Sequence, residues 1–336
     1  MKILVTGGTG FVGRHLVWHL ARQGHQVIFT GRQSQSAAEV LAQVPEKAEA
    51  YWLGLHHGQL GAAEELISHT RDVEAVVHCA ALSSPWGKAE DFYKANVAST
   101  QEVLSVCDQW QIPRLVHIST PSIYFDFCDR ENVREDHPLP KPVNNYAQTK
   151  LEAEQWVKNS QIPERVILRP RAIFGPWDNT LMPRLLRVMA QGPLPLMRGG
   201  QARLDLTYID NLIHAIDLSL TRPLLGPVCI YNLSNGEPLA LKELLAQVAE
   251  AFKLPLRTRS LPWPLVSNLA RLLEWIAHIK GQEPLVTRYS AGVLAFSQTL
   301  DISAIEKELG YSTQVSLEEG IRRHAQWFLS QGGQES

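Results

Sequence analysis

Lys2-Ile3-Leu4-Val5-Thr6-Gly7-Gly8-Thr9-Gly10-Phe11-Val12-Gly13 opens the chain. Ile3–Val5 reads as a buried strand, and the periodic apolar residues from Phe11 to Leu20 read as a helix. Glycines placed between a strand and a helix are what a phosphate cradle needs. Gly7 permits the tight turn, Gly10 lets backbone N–H groups approach a pyrophosphate, and Gly13 lets the helix pack closely on the strand. The helix N-terminus then favours the negative charge. Without that context the glycines would mark only a turn.

Further strand signals follow at Gln26–Phe29, Ala50–Leu53, Ala75–His78, Arg114–Ile118 and Arg165–Leu168. They alternate with helical stretches that include Val12–Gln23, Asp91–Gln109 and Tyr146–Asn159. This alternation predicts an α/β fold with a doubly wound parallel sheet of the Rossmann kind. Asp126–Val143, rich in charge and proline, reads as a loop that delivers Tyr146. Beyond Arg169 the pattern is broken by Pro176, Pro183, Pro193 and Pro195, and Ser260–Lys280 is apolar and carries tryptophan. The expected organisation is a dinucleotide-binding domain over 1–171, with 201–236 returning to it. A smaller, mainly helical substrate subdomain is expected from 172–200 and 237–330. Trp263, Leu265, Val266, Leu269, Leu272, Leu273, Trp275 and Ile276 suit either an apolar pocket or an ordinary core helix.

The chain has 336 residues and a formal net charge of −2, which removes any electrostatic case for nucleic acid. Its 4 cysteines, Cys79, Cys107, Cys128 and Cys229, show neither metal spacing nor a paired framework, and the histidines have no acidic cluster beside them, so no metal is expected. No apolar run approaches the roughly 18 residues of a membrane span. Met1-Lys2 leads straight into the first strand, leaving no room for a signal peptide, so the expected location is the cytoplasm.

A second motif supplies chemistry. Tyr146 and Lys150 in Tyr146-Ala147-Gln148-Thr149-Lys150 fall one turn apart on a single helix face. An ammonium beside a phenol lowers the phenol's pKa toward a value useful in proton transfer.

The chain resembles the extended short-chain dehydrogenase/reductases of the NAD-dependent epimerase/dehydratase superfamily. The resemblance rests on Gly7-x-x-Gly10-x-x-Gly13, His78-Cys79-Ala80-Ala81, Asn96-Val97, Ser119-Thr120-Pro121-Ser122-Ile123-Tyr124, Tyr146-x-x-x-Lys150 and Arg169-Pro170. These occur in order along nearly the whole chain. It implies that Tyr146 is the acid or base, that Lys150 binds the nicotinamide ribose and tunes Tyr146, and that Thr120 orients the carbonyl. Ser119 and Ser122 are rivals for that last role. It further implies cofactor contacts at Gly7, Thr9, Gly10, Phe11, Val12, Gly13, Ala80, Ala81, Lys150 and Pro170. Asn96 is expected to bond main chain or water, and His78 and His117 to serve packing.

After Val27-Ile28-Phe29 the chain reads Thr30-Gly31-Arg32, with no carboxylate to accept the ribose hydroxyls. Arg32 there favours NADP, with NAD left as the alternative. Leu55 stands where the family often places an adenine-binding aspartate. Pro85-Trp86-Gly87, Tyr93-Lys94-Ala95-Asn96-Val97 and Arg169-Pro170-Arg171-Ala172-Ile173-Phe174-Gly175-Pro176 resemble the 3β-hydroxysteroid dehydrogenase-like branch, most closely bacterial 2-alkyl-3-oxoalkanoate reductases. The expected activity is therefore NAD(P)(H)-dependent oxidation or reduction at a carbonyl or secondary alcohol carbon of an apolar small molecule. Ser122 and Arg171 are the candidate substrate contacts, with Arg171 either holding a substrate carboxylate or pairing with Asp178 or Asp210. A sugar-nucleotide epimerase or dehydratase is the nearer alternative, with Arg184, Arg187, Arg198 and Arg203 available for a diphosphate. A non-catalytic NADP-binding regulator is the further one. A homodimer is left open.

Overall fold

The computed structural model describes residues 1–284 and 286–331. Seven parallel strands form the main sheet: β1 (Lys2–Thr6), β2 (Gln26–Gly31), β3 (Ala50–Gly54), β4 (Ala75–His78), β5 (Arg114–Ile118), β6 (Glu164–Pro170) and β7 (Val228–Leu233). Their spatial order is β7-β6-β5-β4-β1-β2-β3. All the strands point the same way, so every loop leaving a strand's carboxyl end opens on one edge of the sheet. The order reverses between β1 and β4, which makes the crevice there the place where an open α/β sheet receives a ligand.

The strands are apolar on both faces because helices cover both. Ile3, Val5, Val77, Val116 and Leu168 enter one core layer; Leu4, Ile28, Val76, Leu115 and Ile167 enter the other. Helices needed below are α1 (Phe11–Arg22), α2 (Ser99–Gln109), α3 (Asn145–Asn159), α4 (Leu181–Gln191), α5 (Trp263–Lys280), α6 (Arg288–Ala295) and α7 (Leu317–Ser330). The predicted helix Asp91–Gln109 is interrupted. Tyr93–Ala98 winds as a π-helix before α2 begins, a distortion that propensity cannot reveal.

The segment Asp126–Val143, expected as loop, contains the strand Arg130–Val133. It pairs in parallel with Gln298–Leu300, in a small sheet that also takes Arg203–Leu204 and Leu239–Ala240. Four residues whose pairing partner lies far along the chain leave no local pattern. Helix α5 also departs from expectation. Leu265, Leu269, Leu272 and Trp275 face outward rather than lining a pocket or filling a core.

One buried ion pair ties the sheet to the helix that carries Tyr146 and Lys150. Arg169 of β6 donates from Nε to Glu154 Oε1 at 2.9 Å and from Nη2 to Oε2 at 2.7 Å, and both side chains are buried. Arg169 also donates to the Tyr124 hydroxyl, which donates to Asn232 on β7 at 3.0 Å. Burial opposes the charge on Glu154. Arg169, Ser119 and Lys158 more than offset it, so its pKa is held below the usual carboxylate range. Its contribution is therefore fully present above the unfolded carboxyl value and fades as the pH falls through the lower folded one. Glu154→Ala is expected to cost about 3–5 kcal/mol by leaving a buried guanidinium unpaired. Urea unfolding at neutral pH checks this; a midpoint unchanged from the parent chain would contradict it.

Candidate active site

The glycine loop is built as a cradle. Gly7 has φ 67°, and a Cβ on it would lie 2.9 Å from the Ala80 backbone, so the loops after β1 and β4 abut at the crevice. A Cβ on Gly13 would meet the Gly7 carbonyl oxygen at 2.2 Å, which leaves no room for any side chain where α1 crosses the loop. Helix α1 has no side-chain cap and no acidic residue in its first turn. Its leading N–H groups are thus free of side-chain acceptors, an arrangement that fits a dinucleotide's phosphates.

The other predicted cofactor contacts gather around this loop. Gly10 N–H donates to the Gly7 carbonyl at 2.9 Å, and Phe11 and Val12 start the helix. Thr9 packs its side chain on Gly31 at the end of β2. Thr30, two residues before Arg32, is turned inward: its hydroxyl oxygen accepts from Gly7 N at 3.0 Å. Arg32 is exposed just beyond β2, whereas Leu55 is buried. Ala80 N–H donates to the Thr6 hydroxyl oxygen at 3.2 Å, with Ala81 following it. Pro170 closes β6 on the same edge.

Asn96, in the π-helical segment, acts through the main chain as expected. Its Oδ1 accepts from Leu82 N at 2.7 Å, and its Nδ2 donates to Thr149 on α3 at 2.9 Å. That clamp holds the segment with Ser83, which helps to lower the Tyr146 pKa. Ser83 belonged to no motif. Its role arises only when the loop after β4 is held against α3.

The three hydroxyls after β5 separate clearly. Ser119 donates to Glu154 at 2.5 Å and so faces the buried ion pair. Thr120 is one of the groups that lower the Tyr146 pKa, and it donates to Ser122 Oγ at 3.0 Å. Ser122 Oγ lies 2.7 Å from the hydroxyl of Tyr289, a residue of α6. Hydrogen bonds therefore link Thr120, Ser122 and Tyr289 in a row of hydroxyls whose Thr120 end acts on Tyr146. No sequence signal pointed to Tyr289, because α6 reaches the site only through tertiary packing.

Tyr146 and Lys150 share a face of α3, but the lysine does not touch the phenol in the way expected. Lys150 Nζ donates to the Ile118 carbonyl at 2.6 Å and lies 3.4 Å from His117 Nε2. Burial pushes the Tyr146 pKa up, and the hydroxyls of Thr120 and Ser83 pull it back; Lys150 is not among the groups lowering it. Burial pushes Lys150 down to about 8, while Glu154 and Cys79 raise it. His78 and His117 are held neutral, chiefly by burial and then by Lys150. His78 is a structural link. Its Nδ1 accepts from Thr6 at 2.7 Å and its Nε2 donates to Thr100 at 3.1 Å, since Thr100 itself donates to the Asn96 carbonyl.

Arg171 leaves β6 into the same space. Ala172, at φ 45°, turns the chain immediately after it. The guanidinium is buried, donates from Nη1 to Gln298 Oε1 at 2.6 Å and has an unpartnered Nε. Asp205 and Tyr289 are the groups that raise its pKa against burial. The anticipated protein acids are engaged elsewhere. Asp178 accepts from the N–H groups of Thr180, Leu181 and Met182 at the start of α4, and Asp210 pairs with Arg323. Among the described residues no group of three or more His, Cys, Asp or Glu side chains is arranged for a metal, and all four cysteines are free.

Residues 3–234 match the NAD dependent epimerase/dehydratase family. The chain belongs to that family, the extended short-chain dehydrogenase/reductases, and is an enzyme of its NAD(P)-dependent oxidoreductase type. It is 34% identical over 341 residues to a 2-alkyl-3-oxoalkanoate reductase of Stenotrophomonas maltophilia, covering 96% of this chain and 98% of that one. It is 32% identical over 339 residues to the uncharacterized protein YbjS of Escherichia coli K12, covering 99% of each. In fold it is similar to the Bacillus cereus UDP-glucuronic acid 4-epimerase solved with UDP-glucuronic acid and NAD. That similarity has a TM-score of 0.76 at 24% identity, over 98% of this chain and 100% of that one.

Two outcomes are expected. Tyr146→Phe should reduce turnover about a hundredfold or more with cofactor affinity nearly intact, as when a positioned acid is removed. Steady-state kinetics beside a cofactor titration checks this, and near-normal turnover would contradict it. Lys150 loses its charge as the pH rises through about 8. Cofactor affinity should therefore weaken over that interval in the parent chain and vary far less in Lys150→Met. An affinity that stays flat past the lysine's titration would overturn this.

Proposed function

We propose that the protein reduces the keto group of an apolar β-keto acid with NADPH, or runs the reverse oxidation, and that Tyr146 moves the proton. The observation that carries this reading is the convergence of Tyr146, Thr120, Ser122 and Tyr289 with the buried Arg171. The row of hydroxyls offers a proton donor and an adjacent hydrogen-bond donor to one carbonyl oxygen. Arg171, with Nε free, offers a fixed planar cation for a carboxylate next to that carbonyl.

The nicotinamide cofactor, when bound, supplies or takes the hydride. The chain's own groups do the rest. Thr120 and Ser122 orient the carbonyl, Tyr146 protonates its oxygen, and Lys150 holds a ribose hydroxyl beside Tyr146. Arg32, beyond a β2 end that carries Thr30 and no carboxylate, receives the extra phosphate of NADP. Residues 172–200 and 237–330 cover the substrate. The similarity to the Stenotrophomonas 2-alkyl-3-oxoalkanoate reductase supports a 3-oxoalkanoate class of substrate.

The sugar-nucleotide alternative is less well served. Arg198 is bidentate on Asp129 at 2.8 and 2.6 Å, and Arg184 pairs with Glu283 at 2.9 Å, so both already have protein partners. Arg171→Leu is expected to raise the KM for a β-keto acid about tenfold or more, as expected for a lost charge-assisted pair, while moving that of its methyl ester little. Acid and ester responding alike would remove the carboxylate role from Arg171.

A further inference from the structure

Helix α5 carries an apolar stripe that nothing in the fold covers. Leu265, Leu269, Leu272, Trp275 and Ile279 are each between 52% and 65% exposed. At 100° per residue they fall within an arc of about 120°, a single face of the helix. Arg271 and His278 border the arc on one side and Lys280 on the other, all three exposed. No carboxylate among the described residues forms a salt bridge with any of them. The one acid within α5, Glu274, accepts from Arg288 N at 2.8 Å, and Glu283 just beyond it is paired with Arg184.

We propose that this face is a peripheral docking surface for an anionic lipid bilayer, with α5 lying in the plane of the interface. A leucine-rich stripe with tryptophan on one face and cations along both borders is the pattern that seats a helix among lipid headgroups. Its sign of charge matches an acidic membrane surface. Size argues against a second copy of the chain as the occupant. A helix of 18 residues is about 27 Å long and about 10 Å wide, so the stripe offers roughly 300 Å², well under the ~800 Å² per partner of a standard interface. No helix of the described residues is long and apolar enough to cross a membrane, so α5 lies on the bilayer rather than through it.

The docked face would sit one layer from the chemistry. The opposite side of α5, with Val266, Ala270 and Ala277, is buried, and Glu274 caps the start of α6. Helix α6 carries Tyr289, whose hydroxyl meets Ser122. A bilayer held against α5 therefore lies beside the helix that completes the row of hydroxyls.

The test is flotation of the full-length protein with vesicles of phosphatidylcholine, with and without phosphatidylglycerol. Binding is expected on the anionic vesicles and at least about tenfold less on neutral ones. The surface variant Leu269→Gln/Leu272→Gln/Trp275→Gln should lose binding to both. Arg271→Glu with Lys280→Glu should lose only the anionic preference. Circular dichroism confirms that each variant is folded; a variant that is not is replaced by Leu269→Ser/Trp275→Ser. Absence of binding to anionic vesicles, or binding unaffected by the triple variant, overturns the proposal. So does a dimer in light scattering that the triple variant splits, which would make a second copy the occupant.

Discussion

The Arg169–Glu154 pair is the constraint on which the site's geometry depends. A buried bidentate ion pair adds little net stability compared with well-packed apolar side chains, because desolvating both charges consumes most of the attraction. Its effect is to allow one geometry only. Glu154 also receives Ser119, and Arg169 also reaches Tyr124, so β5, β6 and α3 are locked around two carboxylate oxygens. Lys150 and Tyr146 lie one and two turns before Glu154 on α3, and Thr120 follows Ser119. Fixing the pair therefore fixes the spacing between the acid and its neighbouring hydroxyl.

Above that anchor, burial is the largest influence on the titratable groups of the site. Burial raises Tyr146 and Tyr289 and lowers Lys150, His78 and His117. Each shift is toward the neutral form, with Lys150 still charged below about pH 8, and hydroxyl-to-hydroxyl bonds link Thr120, Ser122 and Tyr289. Arg171 is the exception. Its charge is retained beside Gln298 and Asp205, and the Gln298 amide donates in turn to the Pro121 carbonyl at 2.9 Å. This buried guanidinium is thus tied to the segment that presents Thr120 and Ser122.

Much of this was legible in the sequence because it is local. A strand, three spaced glycines and a helix specify a cradle within thirteen residues, and Tyr146 with Lys150 is one turn of helix. Resemblance singled out Thr120 over Ser119 and Ser122 as the hydroxyl that orients the carbonyl, and in the structure Ser119 is turned toward Glu154 instead. Contacts between distant segments were not legible. Tyr289, Ser83 and Gln298 enter the site from a helix, a loop and a strand with no motif of their own, and the strand Arg130–Val133 is defined by its pairing with Gln298–Leu300. The outward stripe of α5 has the same composition as a core helix, so only its placement distinguishes the two.

The most direct test of the account is a side-by-side turnover measurement with NADPH and three candidate substrates: a long-chain 2-alkyl-3-oxo acid, a sterol ketone and a nucleotide sugar. Loss of NADPH absorbance with the oxo acid, and a weaker or absent response to the other two, is the result predicted by Arg171 beside the Tyr146–Thr120–Ser122–Tyr289 row. Conversion of the nucleotide sugar without net change in cofactor absorbance, and no turnover of the oxo acid, would contradict it.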